Sequence, residues 1–189
     1  SALQTLTQNE FTSAESLEAG MTQSGVFISL GNNYLSYYPA FRFGLGAFFE
    51  VGARVGAVTV DIGTKDKLSG MAGADLKYQL IKQTDDIPVV MAVDVSIASV
   101  FLSWNTISEL AFSTIVSRGF PLTESGYKIT PYAGAEVSAQ YSSSQYAEDE
   151  TSFFAFGGVE WKLSQKFMLT AELKGGSSAV GGIGIKFEY

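Results

Sequence analysis

The stretch that decides the fold is Phe49-Glu50-Val51-Gly52-Ala53-Arg54-Val55-Gly56-Ala57. Phe49, Val51, Ala53, Val55 and Ala57 occupy one parity, and Glu50, Gly52, Arg54 and Gly56 the other. Side chains on a strand alternate between its two faces, so this is a strand with one apolar and one polar face.

The same period of two recurs outward in both directions. Leu35, Tyr37, Pro39, Phe41 and Phe43 stand opposite Ser36, Tyr38, Ala40, Arg42 and Gly44. Ala72, Ala74, Leu76, Tyr78 and Leu80 stand opposite Gly73, Asp75, Lys77 and Gln79. Asp94 and Ser96 oppose Val93, Val95 and Ile97, and Gly134, Glu136, Ser138 and Gln140 oppose Ala133, Ala135, Val137, Ala139 and Tyr141. Glu160 and Lys162 oppose Val159, Trp161 and Leu163, and Thr170 and Glu172 oppose Leu169, Ala171 and Leu173. Finally, Gly184, Lys186 and Glu188 oppose Ile183, Ile185, Phe187 and Tyr189. Two segments read less cleanly. Glu18 to Leu30 changes phase at Gln23-Ser24-Gly25, which predicts a bulge, and Leu110 to Phe120 fits either phase. Nine turn signals, among them Gly31-Asn32-Asn33, Gly44-Leu45-Gly46, Lys82 to Pro88 and Pro121 to Gly126, separate about ten strands. No segment reads as an amphipathic helix.

Composition narrows the function. Only 16% of the 189 residues are charged, against about 25% in an ordinary soluble domain, yet 46% are hydrophobic. Cysteine and histidine are absent, which excludes disulfides, thiol nucleophiles, His-dependent triads and His-ligated metals. The net charge of −7 argues against a nucleic-acid partner, which requires a basic face. No uncharged apolar run is long enough for a spanning helix. Residues 1–14 lack the basic and apolar regions of a signal peptide.

Alternation alone fits a soluble, lipocalin-like ligand-binding barrel with its apolar face inward, or a membrane barrel with that face outward. The polar parity is rich in Gly, Ser and mixed charge rather than in surface Lys and Glu. The strands suit a tilted crossing, which takes about 9–11 residues. Aromatic residues fall near strand ends, at Tyr34, Tyr37, Tyr38, Phe48, Phe101, Trp104, Phe120, Tyr127, Tyr141, Tyr146, Phe153, Trp161, Phe167, Phe187 and Tyr189. An even number of strands closes without a free edge. The expected architecture is all-β: a transmembrane antiparallel up-and-down barrel of about ten strands, eight being the other count considered. Residues 1–14 are expected as a periplasmic tail and 15–189 as one barrel.

In this alternation the chain resembles bacterial outer-membrane β-barrel proteins. The most specific local feature is Gly184-Ile185-Lys186-Phe187-Glu188-Tyr189, which is similar to that family's assembly signal in Gly184, Phe187 and Tyr189. It departs from the pattern at Gly182, where a polar residue is usual. The resemblance implies an integral outer-membrane location, contact with phospholipid and lipopolysaccharide, and handling by the barrel-assembly machinery. It implies no cofactor.

An inward polar face gathers Glu18, Arg42, Glu50, Arg54, Asp75, Lys77, Asp94, Glu136, Glu160, Lys162, Glu172, Lys174 and Lys186, with Glu188, into a lumen charge network. Buried charges require partners, and a barrel of this size is nearly filled by its own side chains. The expectation is a salt-bridged, largely plugged lumen in a structural or porin-like protein. The alternative is a narrow channel for ions or small solutes. No carboxylate pair stands apart as a catalytic dyad, and catalysis is not expected. Asp61, Asp66 and Glu148-Asp149-Glu150 read as solvated acids on short loops, with no metal site. On the apolar parity, Ala72, Ala74, Ala133, Ala135 and Gly181 are small enough for close packing. They are a candidate face for a homo-oligomer that encloses lipid between barrels.

Overall fold

The computed structural model describes residues 11–32, 34–61, 66–103, 105–122, 127–143 and 150–189. Trp104, Tyr146, Glu148 and Asp149 lie outside them. The strands are β1 (Thr22–Gly31), β2 (Tyr34–Gly46), β3 (Phe49–Asp61), β4 (Asp66–Ile81), β5 (Val90–Leu102), β6 (Asn105–Ser117), the two-residue β7 (Phe120–Pro121), β8 (Lys128–Ser142), β9 (Glu150–Lys162), β10 (Phe167–Gly176) and β11 (Ala179–Glu188). Ten of them are long. Each pairs antiparallel with its neighbours in sequence, β6 pairs β8, and β1 pairs β11 to close the wall. Among the described residues no helix is long and apolar enough to cross a membrane.

Register fixes the geometry of the cylinder. From Lys128 on β8, paired residues run through Lys162, Met168, Lys186, Gly25, Ala40, Arg54, Gly73, Ala98 and Glu109 to Gln140 on the same strand. That is a stagger of twelve residues, from 128 to 140. At about 3.3 Å per residue against ten spacings of about 4.8 Å, the strands tilt by about 40°.

The apolar parity faces outward. Phe41 is 57% exposed, whereas Lys77, Glu50 and Asp94 are each 1% exposed. Arg54 and Glu136 are buried, and Leu76, Val95, Ile97, Phe112 and Ile183 are exposed. An apolar surface of this extent suits hydrocarbon, since soluble monomers rarely expose apolar patches above a few hundred Å². On β6 the ambiguous phase resolves with Glu109, Ala111, Ser113, Ile115 and Ser117 inward.

Four local expectations change. The pairing of β1 runs without a shift from Thr22 to Leu30, so no bulge occurs at Gln23–Gly25. The break in phase arises because Glu18 to Met21 precede the strand and contain a turn at Gly20, whose φ is +82°. Glu18 is therefore exposed at the mouth rather than part of the lumen network. Tyr34 and Tyr38 point inward and are buried instead of lying in an outer girdle. The β2–β3 connection is built on Ala47 and Phe48, with φ of 50° and 69°, one step beyond Gly46.

Candidate functional site in the barrel lumen

The mouth next to Thr22 and Glu188 is called the near mouth, and the opposite one the far mouth. Running backward from β1, residues 17 to 11 enter the near mouth without regular structure, and Phe11, Thr12, Ser13 and Ala14 are buried. The expected tail of residues 1–14 thus has its last four residues inside the cylinder. This strap, Phe11–Leu17, has no strand to pair with, so its peptide groups are satisfied by lumen side chains, as buried peptide groups must be.

Five amides of the strap donate to five different strands. Phe11 N donates to Glu172 at 2.8 Å, Ser13 N to Glu160 at 3.2 Å and Ala14 N to Ser117 Oγ at 3.2 Å. Ser16 N donates to Gln79 Oε1 at 2.9 Å, and Leu17 N to Glu50 Oε2 at 2.9 Å. Two lysines serve the carbonyls. Lys77 Nζ donates to the carbonyls of Ser13 and Glu15 at 3.0 Å each and to Thr12 Oγ1 at 2.8 Å. Lys186 Nζ donates to the Phe11 carbonyl at 3.1 Å.

The same charges pair with one another across the wall. Arg42 bridges Glu50 and Asp75, with its contact to Asp75 at 2.6 Å. Lys77 lies 3.3 Å from Glu50, and Lys186 bridges Glu160. Glu172 also accepts from Tyr132 Oη at 2.9 Å. Further along the lumen, Lys174 bridges Glu136 at 2.6 Å and lies over the rings of Phe154 and Phe156. Lys162 and Glu188 pair at 3.3 Å near the mouth. Arg54 and Asp94 are buried on β3 and β5.

Several lumen residues were not singled out from sequence. Glu109 accepts from Gln140 at 3.1 Å. Phe11, Phe27 and Tyr38 stack in a row, with centroid separations of 4.9 Å and 5.5 Å. Inward glycines make room for such rings: a Cβ on Gly182 would lie 2.4 Å from Phe11 Cζ, and one on Gly184 would lie 2.2 Å from Phe27 Cδ1. Gly184 thus has a packing role inside, while Phe187 and Tyr189 face outward and are exposed. Toward the far mouth the inward positions of β2–β6 turn apolar, with Tyr34, Val58, Val60, Met71, Val100, Leu102 and Ile107 in one cluster that also holds Phe11 and Phe27.

A void bordered by Phe11, Tyr38, Arg42, Arg54, Asp75 and Lys186 measures about 20 Å³, enough for one water molecule. A wider polar vestibule of about 330 Å³ opens at the near mouth between Glu15, Glu18, Lys128, Glu160 and Lys162. The small outward residues do not share one face. Ala72 and Ala74 lie on β4, Ala133 and Ala135 on β8 and Gly181 on β11, with three or four strand steps between them. Ala133, Gly157, Leu173, Gly181 and Leu30 do form one paired row on the outside, beside an apolar groove of about 730 Å³.

No protein-family model matches the chain, and a search of curated sequences returned no match. Among solved structures, the β domain of the Bordetella autotransporter BrkA matches with a TM-score of 0.56 at 11% identity, over 91% of this chain and 99% of that one. The N-terminal barrel domain of Pseudomonas aeruginosa OprF matches with a TM-score of 0.45 at 12% identity, over 92% and 100% of the two chains. The KdgM porin matches with a TM-score of 0.42 at 8% identity, over 87% and 98%. The likeness to the BrkA domain is one of fold. With its closed antiparallel wall and apolar exterior, the chain has the fold of the bacterial outer-membrane β-barrels.

Proposed function

We propose that the protein is an integral outer-membrane barrel that keeps its lumen shut, acting as a membrane-embedded structural element without catalysis. The observation that carries this reading is the strap. Five of its amides and three of its carbonyls are bonded to lumen side chains on six strands, and the void beside it holds about one water. A diffusion pore needs a continuous wet path, and an open lumen is a property of much wider barrels. Planar-bilayer recording of the full chain should show no steady current step. A steady nanosiemens conductance per barrel would refute the closed lumen and return the narrow-channel reading.

A second reading concerns the outer wall. The row Ala133, Gly157, Gly181 and the groove beside it, lined by Ile28, Leu30, Val159, Leu173 and Ile183, favour close approach of another apolar element, because small residues let membrane surfaces pack tightly. We read this as the contact of a homo-oligomer whose barrels hold lipid between them. Gly181→Leu should reduce the particle mass of detergent-extracted protein. An unchanged mass, or a monomer in the parent, removes the oligomer.

A further inference from the structure

We infer that the near half of the lumen is a peptide-binding clamp, and that the strap is its resident ligand rather than an inseparable part of the wall. Its ligand class is an irregular polypeptide segment, bent at Ala14, with a leading aromatic residue followed by small side chains.

The chemistry is that of main-chain recognition. Glu172, Glu160 and Glu50 each accept a strap amide, and Lys77 and Lys186 donate to strap carbonyls. Hydrogen bonds to the main chain give affinity that does not depend on side-chain identity, while side-chain pockets supply the selection. One such pocket is present. The Phe11 ring stacks on Phe27 and fills the space left by Gly182, whose Cβ would meet it at 2.4 Å. Phe11 takes this place with φ at 49°, a left-handed conformation that is disfavoured for a residue with a Cβ. The carboxylates and lysines that hold the strap also pair with one another, as in Glu160–Lys186 and Glu50–Lys77. The wall therefore keeps partners for its charges when the ligand leaves. Between strap and β1, Ala19 and Gly20 are exposed, so the ligand joins the barrel through a single accessible turn.

The clamp rests on the closed-lumen reading, but its test is separate: conductance of the uncut chain decides the lumen, and exchange of a severed strap decides the clamp. A protease site is inserted between Ala19 and Gly20 and cut after folding, with the same insertion after Glu18 as a second version. The severed residues 1–19 should stay with the barrel on dilution, although the high effective concentration of a tether is lost. They should then exchange for a labelled synthetic copy of Ser1–Ala19. A copy with Phe11→Ala should bind weaker by at least about tenfold, because it empties a buried aromatic site. A copy N-methylated at Leu17, which lacks the N–H donated to Glu50, should lose about tenfold. A copy with Glu15→Gln should compete within about threefold, since the Glu15 side chain makes an exposed bridge to Lys128 and the carbonyl that accepts from Lys77 is kept. A severed strap that leaves and does not rebind under excess peptide overturns the clamp. So does one that never exchanges, or an N-methylated copy that binds as well as the parent.

Discussion

The near and far parts of the lumen share one wall and one periodicity, and they are filled by opposite means. Near the mouth beside Thr22, the inward positions of β2, β3, β4, β9 and β11 carry Arg42, Glu50, Asp75, Lys77, Glu160 and Lys186, and the space between them is taken by a separate piece of chain. Toward the far mouth, β3–β6 carry Val58, Val60, Met71, Val100, Leu102 and Ile107, which meet one another directly. Period-two alternation fixes which residues point inward. It does not fix how the interior is filled. A charged wall leaves room here for a backbone that adds donors and acceptors to its own ion pairs, whereas an apolar wall closes on itself.

The sharpest way to break this contrast is Lys77→Met. Lys77 is 1% exposed and serves Thr12, Ser13, Glu15 and Glu50 at once. Its removal strands part of a buried ion pair and two carbonyls, so urea unfolding in a fixed lipid or micelle should show a loss of about 3–5 kcal/mol. Combined with Phe11→Ala, the losses should fall short of additive by about 1 kcal/mol or more, because both act through the strap. An additive pair would mean that strap and wall are stabilised independently.

The matching substitution in the far part is Met71→Ala, expected to cost about 2–4 kcal/mol through the cavity it leaves. Met71 lies on the same strand as Lys77, six residues or about 20 Å along it. The double variant Met71→Ala with Lys77→Met should therefore be additive within about 0.5 kcal/mol. Strong coupling between them would make the lumen one unit and erase the distinction between its halves.

The wall was legible in the sequence because its rule is local. Each strand shows its two faces in consecutive residues, so parity puts Arg42, Glu50, Asp75, Lys77, Glu136 and Lys186 on one face, and the composition of that face, strand length, aromatic placement and strand count turn it inward. On β6 the signal failed because both parities hold apolar residues, Ile115 and Ala111 inward against Leu110 and Phe112 outward. The strap was illegible for a different reason. Phe11-Thr12-Ser13-Ala14 has no periodicity, and its partners lie up to 175 residues away in sequence. Glu18 was misplaced because alternation was extended through a turn that ends it at Gly20. Glycines such as Gly182 and Gly184 read only as part of a polar face, and the rings that need their space come from the strap and from β1.

The smallest expected effect lies outside both lumen regions and tests whether the wall carries strain of its own. Gly46 pairs with Phe49, so Ala47 and Phe48 are the two central residues of the turn, and both have positive φ. Two-residue hairpins favour this geometry because its twist matches that of the strands, but it normally calls for Asn or Gly. Here the closed cylinder imposes it on residues with a Cβ, at a cost of about 1 kcal/mol each. Ala47→Gly relieves one of them, offset by the greater freedom of glycine in the unfolded chain. The net gain should be about 0.5 kcal/mol, equal in the parent and in the Lys77→Met and Met71→Ala backgrounds, because the hydrogen bonds of Lys77 go to Thr12, Ser13 and Glu15 rather than to the turn and Met71 packs in the far cluster. A gain that grows in the Lys77→Met background would show that the strap, and not the strands, holds the turn in its conformation. Ser16 donating to the Phe48 carbonyl at 3.1 Å is the contact through which that would act.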